Sequence, residues 1–149
     1  MADISLTQAD ADALLAVEKH RVDDTFLDYP GAGGSIRVPL QSPDRRESFY
    51  LDITRSRIAL AKGTYQSRAR HVVILARVDF GGAPHRNPDD QEVECPHLHL
   101  YREGYGDKWA YRLPQEVFSD SDDRWQLLQE FMRYVNITLP PNLNKRLLV

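Results

Sequence analysis

The apolar run Val72-Val73-Ile74-Leu75, inside the stretch from His71 to Phe80, constrains this chain more than any other feature. A continuous run of this kind suits a strand buried on both faces, near the centre of a sheet. Arg77 and Asp79 emerge at its far end. Around it, apolar residues recur at every second position. Ile36, Val38 and Leu40 share one side of Ser35–Leu40, and Phe49, Leu51 and Ile53 alternate with Tyr50 and Asp52. Ile58 and Leu60 are expected to continue a strand after a short link at residues 54–56. Residues 62–68 are polar and lack helical periodicity. Val93–Tyr101 and Lys108–Leu113 flank the turn Gly104-Tyr105-Gly106-Asp107 and predict a hairpin over residues 93–113.

Helical signals stand only at the two ends. Thr7 can cap a helix, with Asp10 three residues on, and Ala11, Leu14, Leu15 and Val17 give it an apolar stripe. That helix is expected to fade near His20, an exposed residue of its last turn. A second helix opens at residues 119–122, carries Trp125, Leu127, Leu128, Phe131, Met132 and Val135, and stops at Asn136. Leu147, Leu148 and Val149 form a short apolar tail, either docked or loose. The order is helix, about six strands, helix. It predicts an α+β protein in which a curved antiparallel sheet or partly closed barrel is flanked by an N-terminal and a C-terminal helix.

The 149 residues read as one domain, with no repeat or linker. Cys95 is the only cysteine, so no internal disulfide can form, which fits a reducing compartment. No apolar run approaches the roughly 20 residues of a membrane span, and the acidic start lacks the features of a signal peptide. A cytoplasmic protein without membrane partners is expected. The net charge of −3 argues against a general nucleic-acid binder. Yet residues 53–78 hold six basic side chains (Arg55, Arg57, Lys62, Arg68, Arg70, Arg77) and no acidic one. That is either an ordinary basic strand edge or a surface for phosphates. The glycines of residues 31–34 match neither dinucleotide nor phosphate-loop patterns.

Chemistry concentrates between His85 and Tyr111. On a strand, His97, His99 and Tyr101 face one way and Leu98 and Leu100 the other, with same-face neighbours roughly 7 Å apart. Three uses compete with a plain structural one, in which these histidines are interior groups bonded to carbonyls or carboxylates. The first is a metal site of His85, His97 and His99, with Asp89 and Asp90 near in sequence. Cys95 could face the same way, but a lone cysteine is more often a small hydrophobe. The second is metal-free cleavage of RNA. His97 and His99, with His85 in reserve, would be acid and base; Lys62, Arg68 and Arg102 would hold phosphate; Tyr65, Tyr101 or Tyr105 would position a base. The third is no catalysis. Residues 101–109 form an aromatic and charged hairpin tip suited to docking a protein partner.

The segments LDITRSRIALAKGTYQSRARHVVILARVDFGGAPHRNPD and PHLHLYREGYGDKWAYRLP resemble an uncharacterised family of small bacterial proteins, a domain of unknown function. The resemblance runs from about Leu6 to Ile137, and PHLHLYREGYGDKWA is its most specific part. It implies a bacterial, cytoplasmic, single-domain protein and brings no activity with it. A mobile-element or prophage setting would favour toxin–antitoxin, phage-defence or counter-defence roles. The leading expectation is a toxin-like, metal-independent endoribonuclease without cofactor, whose partners are RNA or an antitoxin. Its alternatives are a non-enzymatic partner-binding or regulatory protein and a metal-dependent enzyme with a histidine site.

Overall fold

The computed structural model describes residues 5–59 and 61–145. Two helices, α1 (Gln8–Ala16) and α2 (Arg124–Tyr134), accompany twelve strands among these residues. The strands are β1 (Lys19–Arg21), β2 (Phe26–Asp28), β3 (Ser35–Gln41), β4 (Ser48–Arg55), β5 (Gly63–Ala69), β6 (Val73–Phe80), β7 (His85–Arg86), β8 (Glu92–Val93), β9 (His97–Arg102), β10 (Gly106–Arg112), β11 (Ile137–Leu139) and β12 (Asn142–Asn144). Eight of them make one open sheet in the order β10-β9-β6-β5-β4-β3-β1-β11. All neighbours in it are antiparallel except β1 and β11. The α+β class and the mostly antiparallel sheet are as expected. The sheet is wider than six strands and does not close, because three-residue β1 and β11 extend one end. β2 pairs with β12, and β7 with β8, as separate two-stranded ribbons.

Alternation decides the layers. Val38 and Leu40 of β3, Phe49, Leu51 and Ile53 of β4, Tyr65 and Ala69 of β5, Val78 and Phe80 of β6 and Leu98 of β9 are buried in one core. Leu14 of α1 and Leu128 and Phe131 of α2 join it. The other side of the sheet carries Tyr50, Asp52, Gln66, Arg68, Arg77, Asp79, His97 and His99 by the same period of two. β6 lies inside the sheet, between β5 and β9, but only its core side is fully apolar.

Several local expectations shift. Thr7 caps α1 by accepting from the Asp10 amide at 3.1 Å. The helix ends at Ala16, and His20 belongs to β1, where it pairs with Gln41. Asp123 caps α2, accepting from the amides of Trp125 and Gln126. Asn136 stops that helix at φ 62°, a conformation asparagine tolerates. The polar stretch without helical periodicity forms β5, over residues 63–69. Ile58 lies in a bend, 94% exposed, instead of continuing a strand, and Leu60 lies outside the described residues, as do Leu147, Leu148 and Val149. No helix among the described residues is long and apolar enough to cross a membrane.

Candidate metal centre

Strand register builds this site. Arg77 pairs with His99 and Asp79 with His97 across β6 and β9, so all four side chains leave the same face. His85 arrives from the next loop. Gly81 opens that loop at φ +70°, and a Cβ there would lie 2.1 Å from the Ala61 carbonyl oxygen, so only glycine fits. The chain then runs through β7 and β8, passes the cis Cys95–Pro96 bond and enters β9. Asn87 pins this ribbon to β10. Its side-chain amide donates to the Ala110 carbonyl at 3.0 Å, and its carbonyl accepts from the Ala110 amide at 2.8 Å. With the ribbon over them, His97 and His99 are only 2% and 1% exposed, although they face away from the main core.

Asp79 is the hub. Its Oδ2 lies 3.4 Å from His97 Nε2 and 3.2 Å from His99 Nε2. Arg77 Nε donates to Oδ1 at 3.0 Å, and Thr64 Oγ1 donates to the same oxygen at 3.2 Å. Burial alone would raise the Asp79 carboxyl. The hydrogen bonds from His97 and His99 and the Arg77 charge outweigh it and hold the group well below the usual carboxylate range. Arg77 also reaches Asp107 through Nη1 at 2.6 Å and His99 Nε2 through Nη2 at 3.0 Å.

The ring nitrogens follow one pattern. His97 Nδ1 faces the Glu94 carbonyl at 3.2 Å, His99 Nδ1 the Asp107 carbonyl at 2.8 Å, and His85 Nε2 the Lys108 carbonyl at 2.8 Å. A carbonyl oxygen only accepts, so each of these nitrogens carries a hydrogen. Where His97 or His99 carries a second hydrogen, its Nε2 donates to Asp79; in the neutral rings the lone pairs fall on His97 Nε2, His99 Nε2 and His85 Nδ1. Two of these three point at Asp79. Ligand atoms of Asp79, His97 and His99 lie within 4.8 Å of one another. Donors at about 2.0–2.2 Å from one ion stand roughly 2.9–3.6 Å apart, which brackets the two histidine–carboxylate distances. Arg77 Nη2 is the resident competitor, 3.3 Å from Asp79 Oδ2, and an entering ion must displace that contact.

The three histidines expected to act together are brought together, and the other six expected residues are engaged by other partners. Lys62 lies beside Gly82 at the turn before β5. Arg68 forms a two-point ion pair with Asp52. Arg102 lies over the Trp109 ring at 4.2 Å, with Tyr105 at the exposed turn beside them. Tyr65 is wholly buried, bonding Tyr29 and the Arg124 carbonyl. The Tyr101 hydroxyl holds both the amide and the carbonyl of Leu6. Asp89 and Asp90 lie in the exposed turn between β7 and β8, and Cys95 Sγ is spent on Gly82 N and the Asp79 carbonyl. Sequence reasoning missed Asp79, Arg77 and Asp107. The available signal was the pair Arg77 and Asp79, two apart at a strand end and so on one face.

A family model described as a family of unknown function (DUF6978) matches residues 6–137. No curated protein and no solved structure matches the chain.

Proposed function

For a chain that belongs to DUF6978, a family of unknown function, we propose a metal-binding role, with one divalent transition ion held by Asp79, His97 and His99. The observation that carries this is the orientation of the two rings. Both buried imidazoles spend Nδ1 on a backbone carbonyl and turn Nε2 toward one carboxylate oxygen. Metal-bound histidines are oriented in this way, by a hydrogen bond from the nitrogen that does not ligate. His97 faces an oxygen from each ring nitrogen, so Nε2 needs a proton or a metal ion between itself and Asp79. Two imidazoles with one carboxylate suit zinc, iron, cobalt or nickel better than magnesium or calcium. The fourth position decides between a catalytic ion, which keeps it open, and a structural one, which fills it.

A metal-free ribonuclease would use the same histidines. It would need ring nitrogens within reach of a phosphodiester and cations beside them. The near-complete burial of His97 and His99, and the engagement of Arg68 by Asp52 and of Arg102 by the Trp109 ring, support the metal reading instead.

Calorimetric titration of chelator-stripped protein with Zn2+ and Co2+ tests the proposal. About one equivalent is expected to bind, and Asp79→Ala and His99→Ala are expected to abolish binding. Absence of binding in the parent protein would sink it. Cleavage of labelled RNA that persists in EDTA and is lost in the His97→Ala/His99→Ala double variant would then establish the metal-free pair.

A further inference from the structure

We infer that His85 is the fourth ligand, and that the β7–β8 ribbon is a clasp held shut by the ion. This rests on the metal reading of Asp79, His97 and His99. The ring spacing is the first support. The centroid of His85 lies 4.6 Å from that of His99 and 5.8 Å from that of His97, and those two are 5.0 Å apart. Imidazoles bound to one ion at about 2.0–2.1 Å have ring centres about 3.2 Å from it, and so roughly 4.5–5.3 Å from one another. Only the His85–His97 pair exceeds that span, by about half an ångström.

The second support is the tautomer. The Lys108 carbonyl holds the hydrogen of His85 on Nε2 and leaves the lone pair on Nδ1. His85 therefore resembles its two neighbours, with one nitrogen on a main-chain carbonyl and the other turned away from it. The third is the attachment of the ribbon. Asn87 grips Ala110 two residues beyond His85, and the Asn87 amide donates to the Gln91 carbonyl at 2.9 Å. His85 is thus delivered by a segment anchored on β10; it stands outside the 4.8 Å group of Asp79, His97 and His99, and its ring must turn inward to bring Nδ1 to the ion.

With His85 bound, three imidazoles and one carboxylate fill a tetrahedral set. The ion would then be a structural or sensing element that fastens residues 81–96 to the sheet, rather than an activator of water. The ligand class is a borderline divalent ion content with four ligands, zinc above all.

Cobalt substitution reads this directly, because four-coordinate Co2+ absorbs visible light far more strongly than six-coordinate Co2+. The parent protein is expected to give the intense band. His85→Gln, which keeps an amide donor for the Lys108 carbonyl, and His85→Ala are both expected to change the band and to weaken Co2+ binding by at least the roughly 10–100-fold that losing an outer-shell partner costs. Parent-like affinity and spectrum in both variants would overturn the clasp while leaving the three-ligand centre standing. A parent protein that takes up no Co2+ would overturn the underlying metal reading, and the clasp with it.

Discussion

Lys19 shows what a single buried charge demands of its neighbours. Its Nζ is sealed from solvent and donates to the carbonyls of Leu15 and Val17 at 2.9 Å and of Val135 at 2.7 Å. The Phe49 ring lies 4.7 Å beneath it. Burial pulls this amine down from 10.5 to about 7. The unfolded chain therefore binds more protons than the folded one between pH 7 and about 10.5, so stability rises with pH across that window. Below pH 7 the penalty is fully present. Urea unfolding should show the parent protein gaining stability from pH 7 to 10 relative to Lys19→Met; a flat difference would contradict the assignment. Above pH 10, where the charging penalty is gone, Lys19→Met should cost about 1–3 kcal/mol, because the carbonyls lose their donor. Little of this was legible in the sequence, where Lys19 is one lysine at the end of a helical pattern. The histidine pair was legible because strand parity is a local property. Asp79 was not assigned to the site, since its place beside His97 depends on which strand β9 chooses as neighbour.

At the scale of elements, β10 is the revealing case. Among the described residues it pairs only with β9, so its other edge would present bare main-chain groups. The Asn87 carboxamide satisfies both the amide and the carbonyl of Ala110, and His85 satisfies the carbonyl of Lys108. A side chain thereby does the work of a partner strand. Asn87→Ala should destabilise the protein by about 1–3 kcal/mol, speed hydrogen exchange at the Ala110 amide and raise the tendency to aggregate. Parent-like exchange at Ala110 would show that the ribbon holds without it. Element legibility followed the size of core-facing side chains. β4 was readable because Phe49, Leu51 and Ile53 face inward. β5 was not, because Gly63, Tyr65, Ser67 and Ala69 take that role, and only one of them is large and apolar. Gly63 must be small, since a Cβ would stand 2.6 Å from the Phe80 ring. The strands β1, β2, β11 and β12 span three residues each, too few to show a period.

Across the whole molecule, one core serves both helices. Leu14→Ala in α1 and Leu128→Ala in α2 should each lower stability by about 2–5 kcal/mol within one shared transition. Far-ultraviolet dichroism and tryptophan fluorescence should melt together; separate midpoints would reveal independent units. The basic stretch of residues 53–78 also changes meaning at this scale. Arg68 is paired with Asp52 and Arg77 with Asp79 and Asp107, carboxylates that lie just outside the stretch or far along the chain. A window on the sequence counted the cations and missed the anions that the sheet sets against them.

The joining of β1 to β11 and of β2 to β12 imposes a schedule on synthesis. Lys19 waits 116 residues for the Val135 carbonyl that completes its cradle. At about 5–20 residues per second, that is roughly 6–23 s on the ribosome. During that time β3 to β6 can zip together as neighbours in sequence and β1 can join β3, while the other edge of β1 waits for β11 and β2 waits for β12. The meander is free to fold as it emerges, and β2, the second strand made, is among the last to be seated.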